Sequence, residues 1–154
     1  MDKELDGESP PPLFEGLRGW HGFLLRKTSQ HITELAEEGL SQLNLSMRQF
    51  GVLSVVEAEP GLNQRTVGAK LRIDRTTIVA LVDELERTGL LERRRGSDRR
   101  TFALHLTDRG AEVLHGAGEV MTEVHEEFLA PLSSLERAVL QTLLVRLAAR
   151  RTPE

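Results

Sequence analysis

The sequence predicts a mainly α fold that carries one two-stranded β-hairpin, an α+β chain. Three observations predict it. Apolar residues recur at spacings of three and four before residue 90 and again after 108, the period of helices buried on one face. Between these stretches, at 100–107, the spacing falls to two, the period of a half-buried strand. Side chains that cap helices (Ser, Asn, Asp, Thr) stand at the head of nearly every periodic run. With 154 residues, the chain fits one domain and buries a core without staples.

Each element follows in order. Residues 1–12 are acidic and end in three prolines, so a disordered or extended arm is expected. From Leu13 a helix is expected, with Leu17, Trp20, His21, Leu24, Leu25, Thr28, Ile32 and Leu35 on its apolar side and Gly39 as its end. Ser46 with Gln49 three residues later forms a capping box; the helix it opens turns Phe50, Leu53 and Val56 inward and stops at Glu59-Pro60-Gly61. Asn63 caps a short helix from Gln64 to Leu71. After Arg72-Ile73-Asp74, Asp74 caps a longer helix through Thr88, buried along Ile78, Leu81, Val82 and Leu85 and ended by Gly89.

Strands are then expected at 90–95 and 100–107, joined by turn residues Gly96-Ser97-Asp98, with Phe102, Leu104 and Leu106 facing in. Thr107 or Asp108 caps a long helix carrying Val113, Ala117, Val120, Met121, Val124 and Phe128 on one side, until Pro131 interrupts it. Ser133 and Glu136 form a second capping box before a last helix striped by Leu135, Val139, Leu140, Leu143, Leu144 and Leu147.

Composition excludes several function classes. There is no cysteine, so disulfides, thiolate-bound metals and thiol chemistry are absent. No apolar run approaches a membrane span, and the acidic start is not a basic signal region, so a cytoplasmic protein with no membrane partner is expected. No phosphate loop, nucleophile elbow or metalloprotease pattern is present, which leaves no catalytic residue to name and no enzyme to expect. His115 and Glu119 are spaced i, i+4, with Glu123 and His125 following. That helix is acidic throughout, and solvated surface is the better reading, so neither a metal nor another cofactor is expected.

The formal net charge of −4 argues, as an average, against a nucleic-acid partner. The distribution argues the reverse. Residues 63–109 hold eleven basic and seven acidic side chains, a local +4, so the remainder carries −8. Five arginines crowd into Arg93-Arg94-Arg95-Gly96-Ser97-Asp98-Arg99-Arg100, around the expected hairpin turn. A charge run is usually a solvated face, but like charges packed on one small hairpin repel, and an external counter-charge explains them better. Arginine at a hairpin tip suits a narrow, electronegative minor groove.

The preceding helix pair has the proportions of a helix-turn-helix. The second helix of such a unit reads base edges from its N-terminal end, here Arg75, Thr76 and Thr77. Arg75 can donate two bonds to guanine, while each Thr can meet a phosphate, a base edge or a thymine methyl. Gln64 and Arg65 open the shorter helix, where backbone N–H groups and a cation suit phosphate. The candidate DNA-binding set is therefore Gln64, Arg65, Arg72, Arg75, Thr76, Thr77, Arg94, Arg95, Arg99 and Arg100.

DRTTIVALVDELERTGLLERRRGSDRRTFALHLTDRG at 74–110 resembles the MarR (multiple antibiotic resistance regulator) family of winged-helix transcription factors. The likeness rests on the DRTTIVALVDELE helix, the Gly89-Leu90 step, Asp98 and Arg100 spaced as Asp-x-Arg, and the closing LTDRG. SMRQFGVLSVV at 46–56 resembles the family's preceding helix.

The resemblance implies a winged helix-turn-helix at 46–107, with the helix-turn-helix at 63–88 and the wing at 90–107. N- and C-terminal dimerisation helices, 13–38 and 108–150, would flank it within a single domain at 13–150. It implies a homodimer on pseudo-palindromic double-stranded DNA, acting as a ligand-responsive repressor. Asp98 would orient the wing, while Arg95, Arg99 and Arg100 share the minor-groove and phosphate work. A small anionic or aromatic effector is implied too, near Trp20, His21, Met47, Arg48 and Phe50, although each of these reads individually as packing. The alternative class is a winged helix used as a protein-interaction module, for which an arginine-rich tip is a poor fit.

Overall fold

The computed structural model describes residues 15–96 and 100–149. The expected arm at 1–12 and the wing residues Ser97, Asp98 and Arg99 lie outside them. Eight regular elements follow a short 3₁₀ turn at Glu15–Leu17: α1 (His21–Ser41), α2 (Met47–Ala58), α3 (Gln64–Leu71), α4 (Arg75–Arg87), β1 (Leu91–Arg95), β2 (Phe102–Leu106), α5 (Asp108–Leu129) and α6 (Ser134–Ala148). The chain divides into two compact units, one ending at His31 and one beginning at Ile32.

The first unit corrects one expectation. The helix does not run from Leu13; α1 begins at His21, where the Trp20 carbonyl accepts from the Phe23 and Leu24 amides at 3.0 and 3.1 Å. Gly16 and Gly19, three residues apart, lower helix propensity there by about 1 kcal/mol each. Arg26 stands 5.8 Å over the Phe23 ring, and Trp20 is 68% exposed.

In the second unit the caps form as the sequence predicts. Ser46 and Gln49 close one capping box and Ser133 and Glu136 another; Asn63, Asp74 and Thr107 each accept from the backbone N–H three residues on. Each cap satisfies orphan donors that a helix start otherwise leaves open. Gly39 does not end α1, which runs on to Ser41. A Cβ at Gly39 would lie 2.7 Å from Val120 Cγ1, so its glycine serves close packing of α1 on α5. Asn44, at φ +54°, carries the left-handed residue after α1 instead.

The core draws on α1, α2, α3, α4, β1, β2 and α5. Leu40, Val52, Leu53, Val56, Val67, Val82, Leu85 and Ala117 are each at most 1% exposed. Several stripes differ in detail from the expected ones. Val52 and Leu114 are buried, whereas Phe50 is half-buried. Of the β2 trio, Leu104 is buried and Leu106 half-buried, but Phe102, opposite Arg95 at the far end of the ladder, is 52% exposed. The α6 stripe is mostly uncovered among the described residues: Leu135, Val139, Leu143, Leu144 and Leu147 are exposed, and Leu140 is half-buried. Among the described residues, no single helix is long and apolar enough to cross a membrane.

The hairpin is antiparallel, with Leu91 opposite Leu106 and Arg95 opposite Phe102. The loop after α2 runs beside it: Gly61 N–H donates to the Leu104 carbonyl at 3.0 Å, and Leu104 N–H returns to Leu62 O at 2.8 Å. At its other end, Thr107 donates its hydroxyl to Gly89 O (2.6 Å) and its N–H to Leu90 O (3.2 Å). There Gly110 meets the Leu90 backbone so closely that a Cβ would sit 2.0 Å from Leu90 O. No flexible side chain can yield at that contact. Gly110→Ala is therefore expected to lower stability by about 3 kcal/mol; urea unfolding with the wild-type midpoint would contradict the packing described.

Candidate nucleic-acid interface

The two short helices meet through a tight turn. Arg72 takes the left-handed conformation (φ +53°) that ends α3, and its N–H bonds back to Ala69 O at 3.2 Å. Gly68 makes the approach of α4 possible, since a Cβ there would meet Ile78 Cγ2 at 3.1 Å. Asp74 then accepts from Thr77 N–H (2.9 Å) and Thr77 Oγ1 (2.5 Å). The Thr77 hydroxyl, followed by the Thr77 N–H, holds the Asp74 carboxyl below the usual aspartate range.

This cap separates the roles of the first-turn residues. Thr77 is half-buried with its hydroxyl proton committed to Asp74, whereas Arg75 and Thr76 are exposed. Arg75 shares a cleft of about 480 Å³ with Gln64, Arg65, Ala69, Ile73, Ile78 and Val79. A second cleft, of about 410 Å³, carries Gln64 and Arg65 on to the wing, where Arg93, Arg100, Thr101 and Phe102 line it. Gln64 and Arg65 belong to both. Through the two residues the clefts share, the structure brings Arg75, Gln64, Arg65 and Arg100 to adjoining clefts. Arg72 lies around the turn, in a cleft with Met47, Arg48, Asp74 and Thr77.

The wing arginines are not equivalent. Arg93 points inward on β1, where its guanidinium donates to Asp83 Oδ1 at 2.5 Å, to Glu86, and to Gln64 Oε1 at 3.2 Å. Partial burial pushes its pKa down, but the bonds to Asp83 and Glu86 outweigh this and hold it above the ordinary value. Arg94 Nε donates to Glu92 Oε1 at 2.6 Å, so part of its charge is met on its own strand. Arg95 and Arg100 are exposed. Arg93, Asp83 and Glu86 are absent from the candidate set that sequence reasoning assembles. The signal was available: strand alternation puts Arg93 on the inner face with Leu91, and Asp83 and Glu86 are spaced i, i+3 on α4.

The remaining candidates are the expected effector residues and the His115–Glu119 pair. Met47 and Phe50 are half-buried against the core, and Arg48 is exposed. Trp20 and His21, in the other unit, are exposed. His115 Nε2 lies 3.7 Å from Glu119 Oε1 with both side chains open to solvent. No group of three metal-ligating side chains occurs among the described residues.

A helix-turn-helix followed by an antiparallel hairpin defines a winged-helix protein. Residues 43–101 match the model of the MarR family. A Thauera aromatica protein assigned to transcriptional regulation of the hcr operon is 36% identical over 99 residues. That match covers 64% of this chain and spans 60% of the relative's length. The crystal structure of the PcaV transcriptional regulator from Streptomyces coelicolor with its natural ligand is 37% identical and has a TM-score of 0.76. It aligns over 90% of this chain and 96% of PcaV. The transcriptional repressor CouR, bound to a 23-mer DNA duplex, is 31% identical with a TM-score of 0.82, over 90% of this chain and 99% of CouR. The chain belongs to the MarR family of transcriptional regulators.

The Asp74 cap has a pH signature. Because its folded pKa is depressed, its stabilisation is complete above the ordinary aspartate pKa and is lost as pH falls through the folded value. Asp74→Asn is expected to shallow the acid limb of the unfolding-midpoint profile. An unchanged acid limb, measured by circular dichroism melts at low pH, would show that the cap contributes nothing.

Proposed function

We propose that this chain is a homodimeric repressor that binds a pseudo-palindromic DNA operator and responds to a small anionic or aromatic effector. The observation that carries the DNA reading is the pair of adjoining clefts that set Arg75 at one end and Arg100 at the other, with Gln64 and Arg65 lining both. In it, Arg75 and Thr76 read base edges in the major groove while Gln64, Arg65 and Arg72 hold phosphate. Thr77 contributes to the face through the cap it forms with Asp74. Arg94, Arg95, Arg99 and Arg100 supply the wing's positive charge toward the minor groove, and Asp98 orients the tip. CouR was solved on a DNA duplex and PcaV with its natural ligand, which supports carrying both partners to this chain. The effector would lie near Trp20, His21, Met47, Arg48 and Phe50. A cytoplasmic location suits a regulator of this class.

The dimer reading rests on α6, where Leu135, Val139, Leu143, Leu144 and Leu147 stay exposed among the described residues. Isolated exposed leucines are ordinary, but a whole helical stripe left open is an association surface. The dimerisation helices would be 13–38 and 108–150, holding the reading unit at 46–107. Leu143→Asp with Leu147→Asp is expected to give a monomer by light scattering; a persistent dimer would place the interface elsewhere.

Fluorescence anisotropy of labelled duplex across a salt series tests DNA binding. With ~6–10 phosphate contacts per dimer, log affinity falls with log salt at about −0.9 per contact. Binding absent or flat with salt, on both selected and bulk duplex, would favour a protein-interaction module. Arg75→Ala is expected to cost about 1–3 kcal/mol on the selected site and to relax base preference there. An equal loss on every sequence would assign Arg75 to phosphate instead.

A further inference from the structure

We propose that Arg93 is a positioning residue for the reading face: it fixes the wing against α4 and orients Gln64, without itself touching DNA. The inference rests on the DNA-binding reading above and deepens it. Four observations converge. Arg93 is the least exposed guanidinium of its strand, at 20% of its side-chain surface against 59% for Arg94. Its partners lie on two other elements, Asp83 and Glu86 on α4 and Gln64 on α3, so one side chain links the wing to both helices of the pair.

Asp83 and Glu86 are like charges one turn apart on α4. The nearby Glu84 is already met within the helix by Arg87, through bonds of 2.6 and 2.8 Å. The cation serving Asp83 and Glu86 therefore comes from the wing. Finally, Gln64 Oε1 accepts from Arg93, which leaves the Gln64 amide N–H groups as its donors, and Gln64 lines both clefts of the basic face. A planar guanidinium can span two carboxylates and an amide oxygen at once; an ammonium offers a compact charge with no such fork.

The carboxylate side of the clamp separates this inference from plain electrostatics. Asp83→Asn combined with Glu86→Gln removes two negative charges beside the interface. Electrostatics alone then predicts tighter binding to any duplex. Loss of positioning predicts about tenfold weaker binding to a duplex selected by the wild-type protein from a randomised library. Bulk sonicated DNA, which needs no register, is expected to bind at least as well as before.

Arg93→Ala and Arg93→Lys are expected to weaken the selected site by a similar factor, with the salt slope unchanged. Their losses should overlap with, rather than add to, that of the carboxylate pair. Circular dichroism melts confirm folding, and if Arg93→Ala does not fold, the carboxylate double variant decides alone. Tighter or unchanged binding of the selected duplex by that double variant would overturn the inference. So would a salt slope reduced by about 0.9 per protomer in Arg93→Ala with near-normal binding by Arg93→Lys, which is the signature of a direct phosphate contact. Either outcome leaves wild-type binding and its salt slope standing; loss of wild-type DNA binding itself would remove the underlying reading as well.

Discussion

Arginines concentrated on a two-stranded hairpin repel one another, and the fold answers with carboxylates placed on α4. Arg93 turns inward to Asp83 and Glu86, and Arg94 is met by Glu92. Beyond its own ladder, the hairpin exchanges backbone bonds with Gly61 and Leu62 on one side, and Thr107 N–H donates to Leu90 O on the other. The wing takes its direction from what ties it to the helices. The apolar part of that tie is Leu91 and Leu104 in the core, and the polar part is the Arg93 clamp. The exposed positions of Arg95 and Arg100 on the hairpin follow from both.

The same economy governs the helix pair. Asp74 begins α4 and, by binding Thr77, leaves Arg75 and Thr76 as the exposed side chains of the first turn. Gly68 allows the two helices close contact, and Arg72 turns the chain between them. Local backbone chemistry thus sets which side chains of a short segment face outward. The long helices do a different job. α5 buries Leu114, Ala117, Met121 and Val124 in the core, whereas α6 leaves most of its leucines exposed.

Much of this was legible in the sequence because caps and periodicity are local. Ser46, Asn63, Asp74, Thr107 and Ser133 mark helix starts through a hydrogen bond that spans three residues, and α3 begins and ends where the pattern puts it. The basic face was legible because its residues cluster in one stretch of chain. What was not legible depends on contacts between distant segments. Gly39 reads as a helix end but serves packing on Val120, and Gly110 is silent until Leu90 is placed against it. Phe102 alternates correctly yet stays half open at the far end of the ladder, lining a cleft with Gln64 and Arg65 rather than filling the core. Arg93 reads as one of five similar arginines; only its pairing across to α4 assigns it to the scaffold.

On the proposed reading, a two-fold pair of these faces grips duplex DNA with helices in the major groove and wings in the flanking minor grooves. Hydroxyl-radical footprinting of the selected duplex, bound by the wild-type protein, tests it most directly. The predicted result is a symmetric pattern on both strands, with protected centres spaced by about one helical turn of ~10 base pairs and with minor-groove protection at the outer edges. A single asymmetric patch, or cleavage no different from free DNA at saturating protein, would contradict it.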